Sequence, residues 1–235
     1  MDNEKSLGPS FQLLFRIGAI AAFAFMLFTL VPLVLMITQP LPPYGGGAAL
    51  LDFIAAHPIL YITELVCFTG LSIPAIVFFL ALGVALWPSG RDLALLGAVV
   101  GIGSEIAALA FASSPPSLNG GLLGLSAQYQ AASEGLRPSI ASAAGALQAY
   151  ANGFTLIGVL TALGIFILSI PMLKSGFPRW VSILGLITGG SGMILEATRD
   201  LVGPFYALYG ILLLVWPLGI GLGLLRLSMS GVVRA

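Results

Sequence analysis

Long apolar runs alternate with short polar breaks along this chain of 235 residues. The runs cover Phe11–Ile37, His57–Trp87, Leu93–Ala112, Ile140–Leu173, Trp180–Ala197 and Phe205–Leu227. At about 1.5 Å per helical residue, roughly 20 apolar residues cross the hydrocarbon of a bilayer. Inside lipid the backbone must satisfy its own polar groups, and a single segment can do that only as a helix. The pattern predicts an all-α fold: a polytopic transmembrane helical bundle of six spans, forming one domain over residues 1–235.

The breaks agree with that reading. Gln39–Gly47 reads QPLPPYGGG, with paired prolines and a glycine triplet that no helix interior tolerates. Leu86–Asp92 (LWPSGRD) and Lys174–Trp180 (KSGFPRW) are short turns, and Pro178 precedes the fifth span where its missing N–H costs nothing. Ser113–Ser139 is the longest break, and Leu122–Ala132 within it is expected to form a short interfacial helix. Pro32, Pro74 and Pro217 fall inside apolar runs and should kink a helix or free a carbonyl.

Composition removes the soluble alternative. Hydrophobic residues make up 58% and charged residues 8%, against about 25% charged in a soluble domain. The 9 basic and 9 acidic residues balance, and no basic patch suits nucleic acid. Cys67 is the single cysteine, so no intrachain disulfide forms. No small-residue cleavage pattern follows the first run, which is read as a retained span.

The cations give an orientation. Lys5, Arg16, Arg91, Lys174, Arg179, Arg226 and Arg234 fall on one side of a six-span topology, and Arg137 and Arg199 on the other. Cytoplasmic loops carry the excess of Lys and Arg. Both termini are therefore expected in the cytoplasm, with the protein multi-pass in the cell inner (plasma) membrane and the loop around Gly121 outside.

Four stretches carry a resemblance: Arg16-Ile17-Gly18, DFIAAHP (Asp52–Pro58), SGRDLALLG (Ser89–Gly97) and LKSGFPRWVSILGLITG (Leu173–Gly189). In that order the chain resembles the uncharacterised family of bacterial and archaeal integral membrane proteins with the domain of unknown function numbered four-three-eight-six. The resemblance implies a six-span fold and no known activity. Members often carry a histidine in the segment matching Ala146–Phe154; here Gln148 and Tyr150 stand there, so no metal role carries over.

Ionisable residues inside spans carry the candidate chemistry. A charged carboxylate at the centre of a bilayer costs about 2.5–3.5 kcal/mol on insertion scales, so such residues face the interior or water. Glu64 lies about 10 Å below the outer end of the second span and Glu105 roughly 12 Å below that of the third. Equal depth makes them a candidate pair that needs a proton, a cation or Arg199 to compensate it. Glu196 sits near the outer end of the fifth span, with Arg199 and Asp200 one turn on. His57, Tyr61 and Glu64 share one helix face as possible accessory groups, but no spaced metal motif accompanies them and no metal or other cofactor is expected. Tyr206 and Tyr209, with Trp87 and Trp180, fit interfacial belts. Gly97 and Gly101 form one GxxxG pair and Gly185 and Gly189 another, the pattern of closely packed membrane helices. Arg91-Gly97-Gly101 and Arg179-Gly185-Gly189 share one spacing, as an internal repeat would.

Three functions fit: binding or transport of a small cation, proton or polar solute through an outward cavity; an accessory subunit held by its glycine faces; and a lipid-modifying enzyme. No catalytic group is assigned. Membrane lipids are the expected partners, with a second copy or another membrane protein as the possible macromolecular one. The topology has a direct test. A reporter fused after Ala235 should be cytoplasmic and one inserted near Gly121 external; protease access to both from outside would exclude the topology.

Overall fold

Nothing inside the apolar runs offers the backbone another hydrogen-bond partner, and the runs are helical. A computed structural model describes residues 11–40, 43, 46–112, 121–152, 156–202 and 205–230. Their helices are α1 (Gln12–Thr38), α2 (Gly47–Ala56), α3 (Pro58–Gly70), α4 (Ser72–Leu86), α5 (Arg91–Ala107), α6 (Leu122–Ala131), α7 (Arg137–Asn152), α8 (Leu156–Met172), α9 (Arg179–Ala197), the single turn α10 (Arg199–Val202) and α11 (Tyr206–Ser230). Among the described residues, 5 segments are long and apolar enough to cross a membrane: Gln12–Thr38, Pro58–Ser89, Arg91–Ala110, Arg179–Ala197 and Tyr206–Met229. The 17-residue α8 is also apolar but shorter.

Helices α1, α4, α5, α8, α9 and α11 pack in a closed ring in chain order, and α11 returns to α1. α4 also reaches across to α8 and α11. The middle is aromatic. Phe78 of α4 meets Phe25 of α1 edge-on at 5.4 Å between centroids, and Trp216 of α11 at 6.0 Å. Trp216, Phe78 and Phe79 are fully buried, whereas Leu13, Ile59 and Ile194 point outward, as lipid-facing residues do.

The second span is continuous in direction but broken in hydrogen bonding at Leu71. Pro74 has no N–H to give the carbonyl of Gly70, four residues earlier. The flanking bonds Leu71 N–H to Cys67 O (3.0 Å) and Ala75 N–H to Leu71 O (3.1 Å) survive. The interruption is therefore local, and it separates α3 from α4.

Two features depart from the apolar pattern. The block expected as one span, Ile140–Leu173, divides into α7 and α8. α8 joins the ring, while α7 packs on α2 and α6. The first half is rich in Ala and Ser and has only Ile140 and Leu147 where the second is crowded with Leu and Ile, which gives it little to bury in the ring. The stretch leading to the second span is itself helical, as α2.

α2, α6 and α7 form a separate group. A Cβ on Gly47 would collide with the backbone of Ala141 and stand 2.7 Å from Gly145 N, so α2 and α7 touch backbone to backbone. Ser126 Oγ donates to Leu51 O at 2.7 Å, and Gln130 Nε2 donates to Asp52 Oδ1 at 2.9 Å. The helix expected at Leu122–Ala132 is α6, one residue shorter.

α8 is approached closely from both sides. A Cβ on Gly164 of α8 would lie 2.8 Å from Gly101 N of α5, and one on Gly97 would lie 2.7 Å from Leu168 Cγ. On the other flank, a Cβ on Gly189 of α9 would lie 2.6 Å from Ala162 O, and one on Gly185 would strike Ser169 and Trp216. Gly103, by contrast, has nothing within 4 Å of such a Cβ. Overpacking a close-packed site costs about 1–3 kcal/mol. Gly189→Ala and Gly101→Leu should therefore lower the thermal unfolding temperature in detergent, while Gly103→Ala should hold or raise it. Equal melting of all three would show that these contacts do not limit stability.

Candidate functional site

The glycine faces end in carboxylates. Gly97, Gly101 and Glu105 are spaced i, i+4, i+8 on α5, and Gly185, Gly189, Gly192 and Glu196 are spaced i, i+4, i+7, i+11 on α9. Such spacings keep to one side of a helix. Both sides lie against α8, so both glutamates are carried inward. Glu105 is 3% exposed and Glu196 is 7% exposed.

Each carboxyl meets α8. Thr161 Oγ1 is hydrogen-bonded to Glu105 Oε1 at 3.0 Å and to Ser104 Oγ at 2.9 Å. Ser104 Oγ in turn donates to Gly101 O at 2.7 Å. One turn earlier on α8, Gly158 has no side chain, and the Glu196 carboxyl occupies the space a Cβ would need. Tyr206 of α11 donates its hydroxyl to Glu196 Oε1 at 2.7 Å. Ser72, the first residue of α4, brings its buried hydroxyl close to the Glu105 carboxyl, outside hydrogen-bond geometry.

Tyr209 joins the two halves. It is 1% exposed, its ring stands edge-on to Tyr206 at 6.0 Å, and a Cβ on Gly192 would collide with it. Glu196, Tyr206 and Glu105 all lie within its electrostatic reach. The group is thus built from α5, α8, α9 and α11, with α4 at its edge. The belt role expected for Tyr206 and Tyr209 does not hold, because both face the glutamates. Trp87 and Trp180 remain at the periphery, with the Arg91 guanidinium 4.7 Å above the Trp87 ring.

Residues 18–227 match the family model described as "Domain of unknown function (DUF4386)". The chain belongs to this family. No curated protein and no solved structure matches it. Membership covers the whole ring, from Gly18 of α1 to Leu227 of α11, and so includes every residue of the cluster. Gln148 lies on α7 and donates through Nε2 to Pro43 O at 3.4 Å.

The other candidate residues are placed differently. Glu64 is half-buried on α3, a helix that packs on α1, and its carboxyl acts on Tyr61 and Cys67 of its own helix. Among the described residues no hydrogen bond, ion pair or electrostatic interaction joins it to Glu105. His57 occupies the joint between α2 and α3, makes no side-chain cap bond, and rests its ring against Phe53 at 5.0 Å. The expectations for Arg199 and Asp200 concern side chains outside the described residues. Thr161, Ser104, Ser72, Gly158, Tyr206 and Tyr209 were not singled out from the sequence as site residues. The available signal was the continuation of each GxxxG stripe into a glutamate, which points both acids at whatever helix the glycines touch.

The Tyr206–Glu196 bond links α11 to α9 beside a carboxyl inside the bundle. A hydrogen bond between membrane helices contributes about 0.6 kcal/mol on average and up to about 1.7 kcal/mol. Tyr206→Phe should destabilise the purified protein by about that amount, and Gly158→Ala should do the same by displacing the carboxyl. If both variants melt with the wild type, Glu196 is not held by these contacts.

Proposed function

We propose that this is an integral membrane protein of six spans, with both termini cytoplasmic, whose Glu105–Glu196 cluster takes up a proton or small cation from the outer side. One observation carries the reading. Two carboxyls, each nearly inaccessible, meet α8 within one turn of each other, Glu105 at Thr161 and Glu196 at Gly158, inside an apolar bundle. Ionisable groups at such depth are expensive and commonly mark ion or proton sites.

Other features support the finer points. The 17 residues of α8 meet the lower bound of a spanning helix, roughly 17–25 residues, and its place in the ring is that of a sixth span. Arg91 and Arg179 open α5 and α9, Arg16 lies near the start of α1 and Arg226 near the end of α11. Alternating spans bring these four positions to one face, the face a positive-inside protein turns to the cytoplasm. Glu105 and Glu196 lie toward the opposite ends of their helices.

A second reading has its own support. Thr161 ties α5 to α8, and Tyr206 ties α9 to α11, so the same groups serve as fastenings for the ring. Flux separates the two. Purified protein in lipid vesicles with an entrapped pH indicator should dissipate an imposed proton or cation gradient. Glu105→Gln and Glu196→Gln should bring the rate down to that of empty vesicles while both variants stay folded, and Glu64→Gln should retain it. Wild-type vesicles no leakier than empty ones would leave the fastening role.

A further inference from the structure

The contacts around Glu105 can be counted in protons. Three short oxygen–oxygen contacts run in series: Glu105 Oε1 to Thr161 Oγ1 at 3.0 Å, Thr161 Oγ1 to Ser104 Oγ at 2.9 Å, and Ser104 Oγ to Gly101 O at 2.7 Å. Each hydrogen bond needs one proton. The two hydroxyls own one each and the Gly101 carbonyl owns none. If Glu105 is a carboxylate, Thr161 must donate to it. Ser104 then donates either to Thr161 or to Gly101 O, and one contact is left with two oxygens and no proton between them. Thr161 Oγ1 also stands 3.3 Å from Ile157 O, a longer contact within α8 that lies outside the series and counts alike for either form of the acid. The Ser72 hydroxyl near the carboxyl brings its own proton and leaves the count unchanged.

A carboxylic acid closes the series. Glu105 donates to Thr161, Thr161 donates to Ser104, and Ser104 donates to Gly101 O. Each hydroxyl in the chain then accepts one proton and gives one, and such series strengthen one another in a medium of low dielectric. We propose that Glu105 holds a proton in a hydroxyl chain ending on the Gly101 carbonyl, and that the exchangeable ligand of the cluster is this proton rather than a metal ion. The ligand class rests on the proposed uptake at the cluster; the acid and its chain rest on the contacts alone. Removing the proton reverses the chain. Thr161 turns to the carboxylate, Ser104 turns to Thr161, and the Gly101 carbonyl gives up its side-chain donor while keeping its place in the helix. The proton leaves toward the groups around the acid: Tyr209 of α11, and beyond it Glu196 of α9 and Tyr206. Among the described residues, the polar side chains that α8 and α4 bring near this carboxyl are the hydroxyls of Thr161 and Ser72.

Infrared difference spectroscopy of the full chain in lipid vesicles tests this. Near neutral pH the wild type should show a protonated-carboxyl C=O band that shifts in heavy water. Glu105→Gln should remove it, and Glu196→Gln should keep it. The Gln amide can donate to Thr161 as the acid does, so Glu105→Gln should fold. Thr161→Val removes the acceptor and should move the band to higher frequency. Should Glu105→Gln fail to fold, carboxyl-labelled glutamate in the Thr161→Val variant gives the same information: a displaced band supports the chain and an unmoved one overturns it. Absence near neutral pH of any acid band that Glu105→Gln removes would overturn the proposal. Gradient dissipation without that band would sink the acid and leave uptake at the cluster standing. The band in a protein without flux would support the acid and count against uptake.

Discussion

Everything in the ring depends on α8 being approached at backbone distance from two sides. Lipid tails are as apolar as leucine, so hydrophobicity alone does not pull one membrane helix to another; close packing does. α5 and α9 achieve it by presenting hydrogen atoms where other helices present side chains, at Gly97, Gly185 and Gly189, while Gly101 turns that face to Phe79 of α4 and lays its backbone against Gly164. Because α8 itself is indented at Gly164 and Gly158, the fit is mutual on the α5 side and at the Glu196 carboxyl. The glycine rows also decide where the acids go. A helix rotated to press glycines on its neighbour has fixed the azimuth of every residue above and below them.

That azimuth explains which expectations were legible. The GxxxG pairs could be read directly, since the motif describes the contact it makes. The Glu64–Glu105 pairing rested on depth, and depth fixes height along a helix without fixing the side it faces. α3 packs on α1, so equal height does not place Glu64 beside Glu105. Tyr206 and Tyr209 near a span end satisfy the composition of an interfacial belt, yet one hydrogen-bonds Glu196 and the other is enclosed. Composition near an interface cannot separate those cases, because a tyrosine has the same amphipathic build in both. The division of Ile140–Leu173 was visible only as a shift from Ala and Ser to Leu and Ile, a change of bulk rather than of polarity.

Polar contacts between membrane helices are individually modest, about 0.6 kcal/mol on average where measured. Were both glutamates ionised, contacts of that size from Ser104, Thr161 and Tyr206 would not offset a cost of about 2.5–3.5 kcal/mol for each carboxylate in hydrocarbon. Stability alone therefore gives little reason for the pair, and a fully apolar lining would fasten the same helices at lower cost. The acids stand where folding alone has little use for them, Glu105 beside the hydroxyls of Thr161 and Ser104 and Glu196 beside that of Tyr206.

The way α2 meets α7 has a consequence of a different kind. Gly47 brings the first interhelical connection against the third, and Ser126 and Gln130 fasten α6 to α2 as well. The ring interlocks in parallel, since α8, from the C-terminal half, is gripped by α5 from the N-terminal half. The covalent link between Ala112 and Gly121 is thus duplicated by three noncovalent ones, α2 on α6 and α7, α5 on α8, and α1 on α11. A chain severed there keeps these contacts among the described residues, so the two fragments, made separately in one membrane, hold the surfaces needed to find each other. Such a fold behaves as an assembly of two complementary pieces that happen to be translated as one.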